Sequence, residues 1–509
     1  MSNEMASPRV RAEHDSLTDY LASVLTPQQL SNVLLISFNQ WDFTTGAIAE
    51  TAMCVRAMGG GITLSLWADE TPIHDVGWTT NSRVAGLFRS PTRDQRVTKA
   101  LIAAGLPSSS VASPPIRGWK PYEPLPKFEP MNRTALRKVM YRGTAMGRAI
   151  LQVHPYRAAP VSDDFLWPKR LIRSAARSYA FVFDQTTRLI AERSISAVVV
   201  YNGRFLHDNA AAAAAEAAGL PVLFYDTGGG HTDFDLTIDK THDWSALQKR
   251  MLRMYESWDP EERDELGSSW FEERRNHLDA SNALYVESQE RGRRIDHPGT
   301  ECLVAYFSSS DDELVELEVD WDSYFGGQPT ALALLAEECR KRPGYTLVVR
   351  SHPHKRMKPK QDLLDWLEAV ELASPDVHLD PYSPIDSYEL MRQADIVVTY
   401  GSTSGVEAAY ARQPVILMGP SAYDELGCAT RVMTSEEIGA ALDAKAPGNW
   451  VGAVSYGLMM KRRGFSYEHV KRGEGGVRSL AGIPFEESSP RVLHLSHILD
   501  RLQRWNLTR

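Results

Sequence analysis

The sequence predicts an α/β protein with two Rossmann-like domains that face a cleft. Short apolar runs rich in β-branched residues alternate with helix-length segments, which indicates βαβ units and parallel sheets. The alternation occurs twice, with a charged, helical stretch between the two series. A chain of 509 residues is also too long for one ordinary hydrophobic core, so two domains are expected.

The first series defines the N-terminal domain. Its predicted strands are 33–38, 62–67, 197–201 and 221–225. A helix is predicted over 47–58, and the three glycines that follow it end the helix. We therefore place an N-terminal, acceptor-side Rossmann-like domain at 28–295, after an N-terminal extension at 1–27.

The second series defines the C-terminal domain. Its predicted strands are 302–307, 346–349, 396–399 and 414–418. An arginine-rich piece at 291–299 is typical of a domain junction, so we place this Rossmann-like domain at 296–475. A C-terminal helical segment is expected at 476–509, because residues 490–505 have an amphipathic pattern.

The composition excludes several classes of protein. The net charge of −9 gives no reason to expect binding to nucleic acid. The four cysteines are scattered without CxxC spacing, so we expect reduced thiols in the cytoplasm and neither a zinc site nor disulfides. No apolar run reaches the roughly 18 residues of a transmembrane helix, and the first residues lack the apolar region of a secretory signal.

The loop from Arg350 to Pro353 follows a strand of the second series directly. Ligands of open α/β sheets bind outside the carboxyl ends of the strands. The guanidinium group of Arg350 suits phosphate oxygens, and the neighbouring His352 can donate a hydrogen bond to a phosphate. The alternative, which the sequence favours equally, is a basic loop leading into a helix that His352 caps.

A second polar loop, Gly401 to Gly405, also follows a strand, and a helix is predicted to begin near Val406. The hydroxyls of Ser402, Thr403 and Ser404, together with free N–H groups at a helix start, can bind an anion. Glu407 has two interpretations. It could complete a capping box with Ser404, or it could hold the hydroxyls of a ribose.

A third loop covers Ser308 to Glu313 after the first strand of the second series. Ser308, Ser309 and Ser310 are suited to contacts with a phosphate or a base. An ordinary Asp/Ser turn before a helix is the favoured interpretation of the acidic residues in this loop.

The N-terminal domain offers a candidate base. Asp226 precedes Thr227 and three glycines at a strand end, where its carboxylate could accept a proton from an acceptor hydroxyl or form an Asx turn. Asn202, Arg204 and His231 follow strands of the same domain and would face the acceptor. Three further aspartates, at 233, 235 and 239, lack the spacing of a calcium loop, so no metal is predicted.

A basic stretch at 169–177 follows Trp167. It could contact an anionic glycan or a membrane surface. A solvated helix face is the favoured interpretation.

These motifs together resemble those of bacterial capsule-polysaccharide glycosyltransferases of the GT-B fold. They are similar to the His-Pro and Ser-Ser motifs of polysialyltransferases, Kdo transferases and CDP-glycerol glycerophosphotransferases. His352 matches the His-Pro motif, and residues 402–404 match the Ser-Ser motif. In that group these residues hold the phosphate of the donor. The resemblance covers mainly residues 300–420.

The acidic-x-Gly motif of the same group, which serves as the base, is matched more loosely by Asp226-Thr227-Gly228. The resemblance implies a cytoplasmic enzyme, at the inner face of the membrane, that moves a sugar from a nucleotide-activated donor to a surface polysaccharide or glycolipid. The nucleotide sugar is a substrate, so neither a cofactor nor a metal is expected. The alternatives are a transferase of polyol phosphate from a CDP-linked donor, a nucleotide-sugar epimerase, and a non-catalytic sugar-nucleotide binder or scaffold.

Overall fold

A computed structural model gives the fold of most of the chain. It describes residues 16–38, 42–67, 93–112, 119–152, 164–229, 233–279, 286–296, 300–310, 325–357, 360–473 and 477–486. Two compact units are present. The N-terminal unit lies within His14–Thr241 and Arg463–Arg509, and the C-terminal unit within His242–Arg462.

The N-terminal unit contains a six-stranded sheet. Its strands are β1 Val33–Ser37, β2 Ile62–Leu66, β3 Ala197–Tyr201, β4 Val222–Thr227, β5 Asp233–Thr237 and β12 Phe465–Ser466. The order is β12-β5-β4-β3-β1-β2, with β1 to β4 parallel and β5 and β12 antiparallel at one edge. A small antiparallel sheet of β13 Lys471–Arg472, β14 Arg478–Leu480 and β15 Ile483–Pro484 belongs to the same unit.

Helices cover both faces of this sheet. They are α1 Leu17–Val24, α2 Asp42–Ala57, α3 Arg93–Ala103, α4 Arg133–Arg137, α5 Met146–Leu151, α6 Lys169–Arg193 and α7 Leu206–Ala217. Along β1, Leu34 and Ile36 belong to one hydrophobic cluster, whereas Val33 and Leu35 belong to another. Successive side chains of a strand point to opposite faces, so a continuous apolar run indicates a sheet that is buried on both sides.

The C-terminal unit contains a second sheet of six strands, all parallel, in the order β11-β10-β9-β6-β7-β8. Its strands are β6 Cys302–Phe307, β7 Tyr345–Arg350, β8 Val377–Leu379, β9 Ile396–Thr399, β10 Val415–Leu417 and β11 Thr430–Arg431. Its helices are α8 Trp244–Ser257, α9 Pro260–Arg275, α10 Gln328–Arg340, α11 Lys360–Ala373, α12 Ser387–Gln393, α13 Ser404–Tyr410, α14 Ser435–Ala444 and α15 Trp450–Arg462. The prediction of two Rossmann-like domains is confirmed.

The units divide at 241/242 and 462/463, not at 295/296 and 475/476 as predicted. Helices α8 and α9 contribute side chains such as Met251 and Trp270 to the same core as Leu303 of β6. A Cβ on Gly457 of α15 would collide with the carbonyl oxygen of Gly267, so α9 and α15 cross at van der Waals contact. Because most residues of α9 are charged, no pattern in the sequence indicated that this helix packs into the C-terminal core.

Three further segments differ from their predicted roles. The expected N-terminal extension includes α1, whose Leu17 and Leu21 are buried in the core of the N-terminal unit. In the predicted junction, the Gly292 N–H donates to Asp386 at 2.8 Å, so this piece is bound within the C-terminal unit. In the expected C-terminal helical segment, the described residues 477–486 form strands, and 490–505 lie outside the described residues.

In the ranges given above, no helix combines the length and the apolar character that crossing a bilayer requires.

Candidate active site

Three loops leave the C-terminal sheet side by side. Phe307, the last residue of β6, pairs with Arg350 of β7 on one side and with Thr399 of β9 on the other. The three strands therefore end at the same level, and the loops after them meet at one edge of the sheet. A cavity of about 470 Å³ lies at this edge.

The cavity gathers every donor-side residue that the sequence predicted. Its lining includes Ser308, Ser309, Ser310, Arg350, His352, Ser402, Thr403, Ser404 and Glu407. The acidic part of the first loop, 311–313, lies outside the described residues. Sequence reasoning paired the loops after β7 and β9, and the structure shows that β6 and its serine loop lie between them.

The serine loop after β6 is held from several sides. The Ser308 hydroxyl accepts the backbone N–H of His352 at 2.7 Å, which ties the first loop to the second. The Ser309 N–H donates to Gln328 Oε1 at 2.7 Å, and its hydroxyl donates to the carbonyl of Tyr400 at 2.9 Å. Ser308 and Ser309 therefore act mainly as supports, and Ser310, within 3.4 Å of His354 Nδ1, completes the loop.

Arg350 is a buried cation, and only some of its N–H groups have hydrogen-bond partners among the described residues. Its side chain is 2% exposed, and Nη1 donates to the carbonyls of Asp380 and Ser383 at 3.4 and 3.2 Å. Its Nε and Nη2 are buried without a hydrogen-bond partner within the described parts of the chain. Burial lowers the pKa of Arg350 to about 10, with Asp380 and Asp386 opposing, so the group stays charged at neutral pH. An anion in the cavity would satisfy this cation.

His352 is held in one orientation. The backbone N–H of His354 donates to His352 Nδ1 at 3.2 Å. A neutral imidazole that accepts at Nδ1 carries its proton on Nε2, so Nε2 is the donor atom. The alternative role predicted from the sequence, a helix cap, is also met: residues 353–357 form a 3-10 helix, and His352 Nδ1 accepts the N–H of its second residue. The same bond that caps this helix fixes the orientation of the ring.

Ser351 anchors the strand end behind these two residues. It is fully buried, accepts the indole N–H of Trp366 at 2.7 Å and lies 2.8 Å from His378 Nε2. Burial lowers the pKa of His378, so its neutral ring can accept a hydrogen bond from the Ser351 hydroxyl. The loop therefore starts from a rigid base.

The loop after β9 offers hydroxyl groups. The Ser402 N–H donates to Thr399 Oγ1 at 2.9 Å, and the Ser402 and Ser404 hydroxyls lie 3.3 Å apart. Thr403 is the N-cap of α13, and its side chain makes no capping bond. Because α13 has only 7 residues, we assign the anion-binding capacity of this loop to its hydroxyls more than to a helix dipole.

Glu407 has a partner that the sequence did not reveal. Arg274 Nε of α9 donates to Glu407 Oε1 at 2.7 Å, and the Tyr388 hydroxyl lies 3.4 Å from the same oxygen. The predicted capping box with Ser404 is not formed, since Thr403 is the N-cap residue. Burial disfavours the charge of Arg274, but the Glu407 carboxylate outweighs it and raises the pKa of Arg274 above its usual value. Glu407 Oε2 has no hydrogen-bond partner in the described residues and is available to a ligand.

Several other residues that the sequence did not predict line the cavity, and those before residue 296 lie in the range predicted as the N-terminal domain. Trp244, Trp270, Arg274, Gln289, Tyr388, Tyr423, Tyr456 and Met460 also line the cavity. Arg274 lies over the Trp270 ring at 4.6 Å, and the Tyr423 hydroxyl donates to the Ser402 carbonyl at 2.5 Å. No motif marks these residues, because their grouping depends on how α8, α9, α12 and α15 pack.

Asp226 lies near the carboxyl end of β4 in the N-terminal unit. It pairs with the buried Asp235 of β5, an antiparallel strand that carries two of the three further aspartates, Asp233 and Asp235. Burial raises the pKa of Asp226 above its ordinary value, with Asp235 adding to the rise and Arg463 opposing it. The Thr227 N–H donates to Asp226 Oδ1 at 2.7 Å. The raised pKa makes the Asp226 carboxylate more basic than an ordinary aspartate, while its Oδ1 also accepts the adjacent backbone N–H.

The other residues predicted for the acceptor side are Asn202, Arg204 and His231. Asn202 is buried, and its Oδ1 accepts the Arg204 N–H at 3.0 Å. Arg204 Nε donates to Gln152 Oε1 of the segment after α5 at 2.8 Å. His231 lies outside the described residues.

One group in the N-terminal unit has the composition of a metal site. Ligand atoms of Glu50, Cys54 and His469 lie within 4.8 Å of one another. Both Glu50 oxygens already accept backbone N–H groups from Glu468, His469 and Val470 at 2.8–3.0 Å. Burial, with the Glu50 charge adding to it, raises the pKa of the Cys54 thiol to about 12, which opposes metal binding. The group is better explained as a structural contact in which Glu50 holds residues 468–470 against α2, and we call this contact the latch.

The fold and the cavity define an α/β protein of two Rossmann-like units, with a cavity at one sheet edge that is lined by Arg350, His352 and the hydroxyls of 402–404. Residues 309–441 match the sequence model of the family described as "Capsule polysaccharide biosynthesis protein". This match confirms the resemblance over the segment that carries His352, residues 402–404 and Glu407. No curated protein matches the chain.

Solved structures give weaker likenesses. The beta Kdo 2,7 transferase of Thermosulfurimonas dismutans KpsC is 16% identical over 51% of this chain and 79% of that chain, with a TM-score of 0.31. The UDP-GlcNAc 2-epimerase of Neisseria meningitidis bound to UDP-GlcNAc is 10% identical over 84% and 97%, with a TM-score of 0.28. MurG of Acinetobacter baumannii is 10% identical over 86% and 97%, with a TM-score of 0.26. Because such low TM-scores do not establish a common fold, the fold assignment rests on the strand order.

Proposed function

We propose that this protein is a GT-B glycosyltransferase that moves a sugar from a nucleotide-activated donor to a surface polysaccharide or glycolipid. The observation that carries the proposal is the incompletely compensated Arg350. It lines the same cavity as His352 and the hydroxyls of 402–404. The family match over 309–441 supports capsule polysaccharide as the product class.

The cavity would bind the phosphates of the donor. Arg350 supplies a fixed positive charge, His352 Nε2–H donates a hydrogen bond, and the hydroxyls of 402–404 add neutral donors. Such fixed donors stabilise the charge that develops on the phosphate as the sugar leaves. These groups perform the task that a metal performs in other enzymes, so we propose a reaction without a bound cofactor or metal.

Glu407 would hold the ribose of the donor. Its Oε1 is fixed by Arg274 and Tyr388, which leaves Oε2 to accept a ribose hydroxyl. This would let Arg274, on α9, orient the donor without contacting the reacting atoms.

Asp226 would act as the base. The acceptor hydroxyl would give its proton to the Asp226 carboxylate, and its oxygen would form the new bond to the anomeric carbon. The bond from that carbon to the donor phosphate would break, and the nucleotide would leave with the bonding electrons. Asn202 and Arg204 would contact the acceptor. We place the reaction in the cytoplasm, at the inner face of the membrane.

A donor panel tests the proposal directly. CMP-, CDP-, UDP- and GDP-linked sugars would be compared by the shift in melting temperature, and one nucleotide class should stabilise the protein. Release of free nucleotide that depends on an acceptor glycan indicates transfer. Transfer of polyol phosphate from a CDP-linked donor, epimerisation of the donor, or donor binding with no turnover would each replace the proposal with one of the alternatives.

The variant His352→Ala tests the site. We expect turnover to fall by at least about a hundredfold and donor affinity to drop, because a donor to the leaving phosphate is lost. Lys360→Ala is the control, since Lys360 is exposed at the start of the next helix. Normal turnover in His352→Ala, with the protein folded in both variants, would refute the assignment.

A further inference from the structure

One part of the chain in the N-terminal unit is strongly basic although the chain is acidic overall. Residues 119–152 and 164–177 carry eleven Lys or Arg and three Asp or Glu, whereas the net charge of the chain is −9. Between Asp164 and Asp184 there is no acidic residue. A surface of mixed charge is the norm for soluble proteins, so this concentration of one sign needs an explanation.

The cations are arranged along one side of α6. Lys169, Arg170, Arg173 and Arg177 are exposed and lie within about two helical turns of one another on one side of the helix. Arg170, Arg173 and Arg177 form no ion pair among the residues that the structure describes. Lys169 has one contact, 3.7 Å from the exposed Glu129. An exposed pair of this length contributes little.

The position of these cations disfavours the helix itself. Helix α6 begins at Lys169, with no side-chain capping bond at Pro168 and no acidic residue in its first turn. The helix dipole makes cations at an N-terminus unfavourable. A negatively charged partner outside the chain would reverse this penalty, and the first turns of α6 are placed to meet one.

Apolar side chains flank the cations at both ends. Leu166, which is 58% exposed, lies three residues before the first residue of the helix, Lys169. Beyond Arg177, the Asp184 carboxylate accepts the Tyr122 N–H at 2.9 Å and lies on the same side of α6, because seven residues make two turns. Tyr122 is 50% exposed, and so is Met140.

Met140 belongs to the same flank. It precedes Tyr141, whose hydroxyl donates to Asp184 at 2.9 Å. Arg142 lies 5.7 Å from the centre of the Tyr122 ring. The cations at the start of α6 therefore lie between Leu166 on one side and Tyr122, Met140 and Arg142 on the other. The exposed Glu123 carboxylate, which accepts the Arg142 N–H at 3.1 Å, is an acidic group beside them. We call this set the basic face: Tyr122, Met140, Arg142, Leu166, Lys169, Arg170, Arg173 and Arg177.

We propose that the basic face docks the protein onto a membrane surface that contains anionic lipids. Lys and Arg side chains would meet the headgroups, while Leu166, Met140 and Tyr122 would enter the boundary with the acyl chains. A polyanionic glycan has the charge but not the apolar layer that Leu and Met side chains require, so a lipid surface fits better. This inference deepens the membrane location that is part of the proposed function, and its vesicle test is separate from the tests of sugar transfer.

Vesicle binding of the full-length protein tests the inference. We expect co-sedimentation with phosphatidylcholine vesicles that contain phosphatidylglycerol, and much weaker binding to phosphatidylcholine alone or at high salt. The variant R170E/R173E/R177E should bind at least ~100-fold more weakly. Its melting temperature should be unchanged or higher, because glutamates suit the start of a helix. Loss of binding would then not reflect unfolding.

A matched control reverses three exposed cations elsewhere, K99E/K249E/R253E, and should bind vesicles as the parent protein does. The variant Leu166→Ser/Met140→Ser should bind more weakly with little change in salt dependence. Equal binding by R170E/R173E/R177E and the parent protein overturns the proposal. So does binding to a polyanionic glycan without binding to vesicles, which would assign the basic face to a glycan.

Discussion

At the residue scale, the cavity contains charged groups that are fixed by some hydrogen bonds but have further donor or acceptor atoms without a partner in the residues that the structure describes. Arg350 uses Nη1 on two carbonyls and keeps Nε and Nη2 without a partner within the described ranges. Within the described part of the chain, Glu407 likewise accepts hydrogen bonds at only one of its two carboxylate oxygens, Oε1. Buried polar groups without partners reduce stability, so their presence in one cavity indicates a site that is completed by a ligand.

The variant Arg350→Met separates binding from stability. We expect the protein without ligand to melt at the same or a higher temperature, because an incompletely compensated buried charge is replaced by an apolar chain. The stabilisation by donor nucleotide should disappear. Thermal shift with and without nucleotide measures both effects. Arg340→Met is the control, since Arg340 also donates to a carbonyl, that of Ala373, but lies outside the cavity. A full nucleotide shift in Arg350→Met would contradict the assignment.

The pH dependence of transfer tests Asp226. Burial raises the pKa of this carboxyl group, and a base must be ionised to accept a proton. Activity should therefore be present at neutral pH and fall as the pH drops through a value above the ordinary pKa of an aspartate. Asp226→Asn should keep donor affinity and lose transfer, whereas Asp239→Asn, an exposed control, should change neither. Unaltered transfer in Asp226→Asn would show that Asp226 is only a turn residue.

At the scale of elements, buried carboxylates hold segments that are distant in sequence. Glu50 of α2 accepts the N–H groups of three successive residues after β12 and lies 2.8 Å from His469 Nδ1. Arg274 of α9 reaches Glu407 of α13 in the C-terminal unit in a similar way. In both places a charged group, nearly inaccessible to solvent, connects elements that have no regular pairing.

The variant Glu50→Gln tests the first of these connections. The amide offers one acceptor oxygen where two now accept N–H groups, so we expect a loss of about 2 kcal/mol in the free energy of unfolding. Denaturant unfolding measures it. Glu468→Gln is the control, because the Glu468 side chain is exposed and only its backbone N–H contacts Glu50. A loss within about 0.5 kcal/mol for both variants would show that the latch contributes nothing.

At the scale of the whole molecule, the chain leaves one unit and returns to it. The N-terminal unit takes up Arg463–Arg509 after the C-terminal unit is complete, and β12 pairs with β5. Within the C-terminal unit, α9 and α15 pack closely where Gly267 meets Gly457. The C-terminal unit is therefore an insertion, and its boundaries follow α8 and α15.

This organisation predicts which fragment folds. Residues 242–462 should give a cooperative thermal transition, because they contain the complete core around β6, including Met251, Trp270 and Phe271. Residues 296–475 should not, since α8 and α9 are missing and β12 lacks β5. Circular dichroism during heating compares the two. A cooperative transition in 296–475 alone would contradict the boundary at 242.

The sequence by itself determined the fold class and which strand-end residues meet in one cavity. Runs such as 33–36 and 302–307 are apolar throughout, which is typical of strands in a sheet buried on both faces, so the alternation with helices predicted the parallel sheets. The strand-end loops then marked Arg350, His352 and residues 402–404, because parallel strands end at a common edge. On the acceptor side, the roles of Asp226, Asn202 and Arg204 stay predictions, and the sequence did not predict that Asp233 and Asp235 lie in a strand.

Only the tertiary structure decided how helices and buried charges complete the site. Arg274, Trp270 and Tyr388 lie in amphipathic or charged segments whose partners the sequence does not name. The boundary at 242 was missed for the same reason: α9 has a polar surface, and its attachment depends on two glycines and a few aromatic side chains. Local pattern reports which face of an element is apolar, but which surface covers that face is decided by contacts between residues far apart in the chain.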